Sequence, residues 1–395
     1  MNPSTSDLFA AAKAIQADIV SIRRDIHQHP ETGFDVQRTA AIAAAEMEKL
    51  HLQVKTGIGK TGLIADLNVP GGSRRIALRA DMDALAMAEQ SDFEFRSSDP
   101  EKAHMCGHDA HTAMLIGAAR IIHRFKDQLP VNVRFIFQPN EETLPGGALS
   151  MIEAGAIEGV DEIYGLHVLP SLETGTIGLR TGPFLGQPDS FEITIQGKGG
   201  HGAMPHYSVD PIYVGCQFVS TLQSIVSRVV DPFEPTVVSI TQFHSGTSDN
   251  IIPEQAKIVG TVRTLDKSVQ KIIRTHLEQQ LKGITTAHGA AYQLDYTEGY
   301  PVTVNHESCV QHVLQTSKPL LGEKHVVYPY PAVLGGEDFG YFSQRIPAAF
   351  LFLGCGNQKR GIVHMCHNPL FAIDEACLPY GTALHAAIVF ASIAG

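Results

Sequence analysis

The string HMCGHDAH, His104 to His111, sets a thiol and an imidazole two residues apart, and in a turn Cys106 and His108 can converge on one metal or one bridging position. A glycine-containing helix start with incidental histidines reads the same way, and the string alone does not separate the two. VRFIFQPNEE adds Glu141 and Glu142 directly after a buried-type strand, where ligands collect in open α/β sheets. Adjacent carboxylates repel unless a cation or a shared proton compensates. One of such a pair can ligate metal while its neighbour faces a bound water as general base. In YGLHVLP, His167 ends an apolar strand, and in HMCHNPLFAIDE, His364 and His367 precede a helix. Each segment alone has an ordinary reading: a solvated loop, a core histidine, a helix entry. Together, all at strand ends or helix starts, they supply the Cys, His and Glu donors of a transition-metal site.

The elements that must position these donors alternate strand and helix. Arg75 to Ala80 reads as a short apolar strand running into Asp81 and Asp83. Helical periodicity follows over His111 to Phe125, then strand Val131 to Gln138, a helix from Gly146-Gly147 through Ala154, and strand Glu162 to Leu166. The signals return late, as strand Ala348 to Leu353 and an amphipathic helix over Glu375 to Ala394. This alternation predicts a mostly parallel sheet with helices on its faces. Between them the order changes: strand Ser190 to Gln196, helix Asp210 to Val229, strands Val237 to Gln242 and Lys257 to Arg263, helix Lys267 to His288, strand Ala291 to Tyr296. That β-α-β-β-α-β order is a ferredoxin-like unit. The expected organisation is an α/β catalytic domain over residues 1–186 and 299–395, interrupted by a smaller α+β domain at 187–298.

At 395 residues and 44% apolar content the chain can bury a large core, and its formal net charge of -11 argues against a polyanion-binding surface, so no nucleic-acid partner is expected. No apolar run reaches the ~20 residues needed to span a bilayer, so no membrane association is expected. Met1 to Arg24 lacks the order of a secretory signal and reads as an amphipathic surface helix carrying Leu8, Ile15, Ile19 and Ile22. Six cysteines without regular spacing do not form a disulfide framework, which makes the cytoplasm the expected compartment.

These motifs, with RRDIHQHPETGF at Arg23 to Phe34, LRADMDAL at Leu78 to Leu85, GKGGHGAMPH at Gly197 to His206 and DNIIP at Asp249 to Pro253, resemble the M20 metallopeptidases. The likeness is to the aminoacylase-like amidohydrolase branch, which includes hippurate and auxin-conjugate hydrolases. It implies metal-dependent hydrolysis of the amide of small-molecule N-acyl amino acids. Cys106, His108, Glu142, His167 and His367 would hold two divalent ions per subunit, with Glu141 as general base. Where the wider family has His-x-Asp this chain reads Asp81-Met82-Asp83, a departure that goes with recruitment of Cys106. The inserted domain would be a lid and homodimerisation unit. His201 would polarise the scissile carbonyl across the dimer, and Asn250 and Arg263 would hold the substrate carboxylate. Imidazole and thiolate suit zinc, with manganese, cobalt and nickel as alternatives. Glu337 and Asp338, in GGEDFGYF, are expected near the substrate pocket without an assigned role. A Cys106 nucleophile, a dipeptidase or carboxypeptidase, an N-acetyl-diaminopimelate deacetylase and a non-catalytic binding protein are the competing readings.

Overall fold

The computed structural model describes residues 3–391. They form two compact units: Met1–Phe184, Thr303–Pro331 and Asp338–Gly395 in the first, Leu185–Val302 and Ala332–Glu337 in the second.

The first unit opens with helices α1 (Thr5–Ala14), α2 (Gln16–Gln28) and α3 (Gln37–Lys49), then hairpin strands β1 (Gln53–Ile58) and β2 (Gly62–Leu67) and strand β3 (Arg75–Asp81). The chain continues through α4 (His108–Arg124), β4 (Asn132–Gln138), α5 (Gly147–Glu153), β5 (Glu162–Glu173) and the short β6 (Ile177–Gly178). The second unit supplies β7 (Gln187–Gln196), α6 (Pro211–Ser224), β8 (Thr236–Ser245), β9 (Gln255–Thr264), α7 (Lys267–Ala287) and β10 (Ala291–Thr297). The return to the first unit adds α8 (Glu307–Leu321), β11 (Val326–Val327), β12 (Ala348–Gly356) and α9 (Leu378–Phe390).

The first unit is built on an eight-stranded sheet of order β1-β2-β4-β3-β5-β12-β6-β11. Its four central strands, β4, β3, β5 and β12, run parallel. The apolar composition of β3, β4 and β12 follows from that place, since a parallel strand covered on both faces has no solvent side to alternate with. Helix α4 is buried along nearly its whole length. Gly117 in its middle permits this, because a Cβ there would meet Ile19 Cδ1 at 2.7 Å and Thr382 Cγ2 at 3.0 Å.

Several local expectations need correction. The N-terminal helix is two helices meeting at Ile15, and Leu8 and Ile19 are buried rather than surface residues. The C-terminal helix is buried on every side, not amphipathic, because α4, α1 and α8 all pack on it. The strand carrying His167 runs on to Glu173, so this histidine lies inside a strand and not at its end. Helices α3 and α8 were not read from the sequence.

In the second unit, β8-β9-β7-β10 form one antiparallel sheet, the strand order of a ferredoxin-like fold. Asp210 and Asp266 cap α6 and α7 by accepting from backbone amides of the first turn. The helices cover one sheet face, packing Val214, Phe218, Leu222, Ile273, Leu277 and Leu281 on Phe191, Ile193 and Ile195. A two-stranded ribbon, Gly200–His201 with Ile251–Ile252, stands apart from this sheet.

Candidate metal centre

The donor-bearing turns leave the carboxyl ends of the parallel strands and are held by specific backbone geometry. Between Cys106 and His108, Gly107 has φ +95°, and a Cβ there would sit 2.3 Å from Val168 Cγ2. Only glycine tolerates both the left-handed turn and this approach to β5. After β4, Asn140 takes φ +52° and turns the chain so that the backbone amides of Glu141 and Glu142 donate to Asp83, at 2.9 and 3.1 Å. His367 also has positive φ, +66°, and its amide donates to the Met105 carbonyl at 2.8 Å, tying the turn after β12 to the Cys106 turn.

These turns bring five of the expected residues together as two triads sharing one sulfur. Cys106, His108 and His167 form one, and Cys106, Glu142 and His367 the other, with ligand atoms within 4.8 Å of one another in each. Cys106 Sγ lies 3.2 Å from His167 Nε2, and His367 Nε2 lies 3.2 Å from Glu142 Oε1. Glu141 joins His108 and Glu142 in a third group, its Oε2 4.0 Å from His108 Nε2. His364 enters none of these groups. Asp81, His108 and His111 are also close, but Arg79 pairs with Asp81 at 2.7 Å and both His111 nitrogens are engaged, which leaves only His108 of this group to offer a cation a free nitrogen.

The electrostatics favour a cation. His108 is fully buried and Nε2 makes no hydrogen bond, yet carboxylate oxygens of Asp81, Glu142 and Glu141 stand 3.8–4.0 Å away. Burial opposes charging this ring, but Asp81, Asp83 and Glu142 outweigh it and raise its pKa well above the usual imidazole range. His167 is held neutral: burial, then His111 and His108, push its pKa down to about 3. Its Nδ1 donates to the Val168 carbonyl at 2.7 Å, so Nε2 carries the lone pair toward Cys106. The Cys106 thiol is raised well above its ordinary value by its hydrogen bond with Cys366, by burial and by Glu142. A buried, protonated thiol is a poor nucleophile, which counts against the cysteine-hydrolase reading. Metal ligation is what would deprotonate it.

The residues therefore fit metal. An unpartnered buried imidazole nitrogen, a shared thiolate position and neighbouring carboxylates match the Cys, His and carboxylate ligands that bind zinc at about 2.0–2.3 Å. Asp81, Asp83 and His111 support this arrangement and were not assigned roles from sequence. The Asp-Met-Asp at a strand end was the available signal, but only the fold shows what the carboxylates grip.

Asp338 accepts from Arg79 at 3.0 Å, from Gln138 at 2.7 and 2.8 Å and from the Ala148 amide at 2.9 Å, so it is a structural carboxylate joining β3, β4 and α5. Glu337 belongs to the second unit. There, His201 pairs with Ile251 on the two-stranded ribbon, and just beyond it Gly202 N–H donates to the Asn250 carbonyl at 2.8 Å. Arg263 sits elsewhere in that unit, half-buried on β9, where burial lowers its pKa and Asp189 opposes that shift.

The chain matches the family model described as Peptidase family M20/M25/M40 over residues 77–391. It is 40% identical over 379 residues to Thermostable carboxypeptidase 2 of Saccharolobus solfataricus, covering 95% of each chain. It is 44% identical over 294 residues to the N-acyl-L-amino acid amidohydrolase of Geobacillus stearothermophilus, covering 74% of this chain and 79% of that one. Among solved structures, the Bacillus subtilis YXEP protein, described as a dinuclear metal binding peptidase, superposes with a TM-score of 0.83 at 33% identity, covering 96% of this chain and 98% of that one.

Proposed function

Since the chain belongs to the M20/M25/M40 peptidase family and is a metal-dependent hydrolase acting on small-molecule amides, we propose that it cleaves N-acyl amino acids to a carboxylic acid and a free amino acid. The observation that carries this reading is the pair of donor triads sharing Cys106, with Glu141 beside them. Cys106, His108 and His167 would hold one divalent ion, and Cys106, Glu142 and His367 the other. Zinc suits the donors best, with manganese, cobalt or nickel able to serve. Bound ions supply Lewis acidity to the amide carbonyl and bring the pKa of water toward neutrality.

The chain's own residues do the rest. Glu141 takes the proton of the attacking water and passes it to the leaving amine. The turn that carries it is held by Asp83, which accepts from the backbone amides of both glutamates. His201 stabilises the oxyanion from a second subunit. Asn250 and Arg263 receive the substrate carboxylate, for which a guanidinium fork is suited. Support for a homodimer comes from the second unit, whose sheet edge β8 is open and which exposes Ile212, Tyr213, Val237 and Phe233, the last 92% exposed. Among the described residues no helix is long and apolar enough to cross a membrane. Six cysteines without the spacing of a disulfide framework support a reducing cytoplasm as the enzyme's compartment.

A carboxypeptidase reading is favoured by the likeness to Thermostable carboxypeptidase 2 and uses the same residues. Metal analysis of the purified protein, with a panel of N-acyl amino acids and peptides assayed before and after chelation, separates them. Hydrolysis of peptides but not of N-acyl amino acids would overturn the first reading. Undiminished activity after complete metal removal would overturn both.

A further inference from the structure

Strand β3 pairs with β5 only as far as Arg79 opposite Gly165. Beyond that point β5 continues through His167 and Val168 with no β3 neighbour, yet on its other side β12 stays in register. The Val168 N–H, which a sheet neighbour would otherwise satisfy, donates to His111 Nε2 at 2.9 Å. An acceptor Nε2 places the ring proton on Nδ1, which lies 2.7 Å from Asp81 Oδ1 and donates to it. Arg79 holds Asp81 in turn at 2.7 Å. The carbonyl of Val168, in the next peptide unit, accepts from His167 Nδ1 at 2.7 Å, and His167 Nε2 then faces Cys106 Sγ at 3.2 Å. The His111 and His167 rings pack edge to face, centroids 4.6 Å apart.

We propose that His111 is a positioning residue for one of the two ions: with Asp81 behind it, it replaces the missing sheet neighbour, clamps the backbone at Val168 through its N–H, and so holds the Val168 carbonyl where it fixes the tautomer and aim of His167. The inference rests on the two-ion reading above. It makes the ions unequal in their support. The ion held with His167 depends on this clamp, whereas the ion held by Glu142 and His367 depends on Asp83 and on an exposed turn.

The test counts ions rather than turnover. Apo-protein is titrated with Co²⁺ by equilibrium dialysis, with the cobalt–thiolate absorption followed in parallel. Two parents are used: His367→Ala, which should keep the ion at His167, and His167→Ala, which should keep the other. Adding His111→Leu should weaken the remaining ion about 10–100-fold in the first parent and leave it unchanged in the second. His111→Gln, whose side-chain oxygen can still accept from Val168, should stay within a few-fold of its parent and serves where the leucine variant does not fold. His385→Leu removes another buried imidazole, one with no hydrogen-bond partner at either nitrogen, and should leave both parents unaltered. Equal weakening in both parents, no weakening in either, or an equal effect of His385→Leu overturns the inference. A wild-type protein that takes up fewer than two ions overturns the two-ion reading itself, before any His111 variant is made.

Discussion

Cys106 concentrates the chemistry of the site, because its sulfur belongs to both donor triads. A thiolate ligating metal would be shielded by it, and Cys366, burial and Glu142 hold the metal-free Cys106 thiol far above neutrality. Cys106 should therefore resist alkylation in the metal-loaded enzyme. After chelation it should become labelled slowly at neutral pH and faster as pH rises. Peptide mapping by mass spectrometry reads this directly, and equal labelling with and without metal would remove Cys106 from the ligand set. For Glu141 the expectation is opposite in kind. Glu141→Gln should keep both ions and the fold while turnover falls roughly 10²–10⁴-fold, the loss typical of a missing general base. A variant with metal bound and near-normal turnover would return the base assignment to Glu142 or to neither.

At the scale of elements, the site depends on turns whose geometry tolerates little. Gly147 opens α5 and its amide donates to the Asn140 carbonyl at 2.8 Å. A Cβ at this position would fall 1.7 Å from the Pro139 carbonyl oxygen, a backbone atom that cannot rotate away. Gly147→Ala should push the Pro139–Glu142 turn off Asp83, weakening metal binding and lowering stability by about 1–3 kcal/mol, as overpacking does. Gly283 makes the useful contrast. It is exposed within α7, and a Cβ there meets nothing within 4 Å. Gly283→Ala should raise stability by about 0.5–1 kcal/mol and leave metal affinity alone. Paired thermal melts and metal titrations check both, and a Gly147→Ala protein with unchanged metal affinity would show that the turn is not what sets the ligands.

The whole molecule poses the question of where His201 acts. If it serves a partner subunit's site, Glu141→Gln and His201→Ala proteins, each nearly inactive, should complement when their subunits exchange. A mixed dimer then has one site lacking both groups and one site intact. Random exchange makes about half the dimers mixed, so roughly a quarter of wild-type site activity should return. A mixture that stays inactive after exchange is verified by mass spectrometry would place His201 in its own chain's site, or outside catalysis.

The sequence by itself determined the α/β class with its mostly parallel sheet, and it marked out the candidate metal donors, because both leave local marks. Apolar strands followed by helices repeat with short spacing, and Cys106, His108, Glu141, Glu142 and His367 are donor types clustered in short segments beside element ends, with His167 inside its strand. Tertiary structure decided what each donor leans on. Asp83 reaches Glu141 and Glu142 across 58 and 59 residues of chain, His111 reaches Val168 across 57, and Asp338 reaches Arg79 across 259. Such contacts have no periodicity to betray them. The buried state of α9 left a local mark too: Leu378–Phe390 is apolar nearly all round, without the expected amphipathic stripe, and only the tertiary structure names the helices α1, α4 and α8 that cover it.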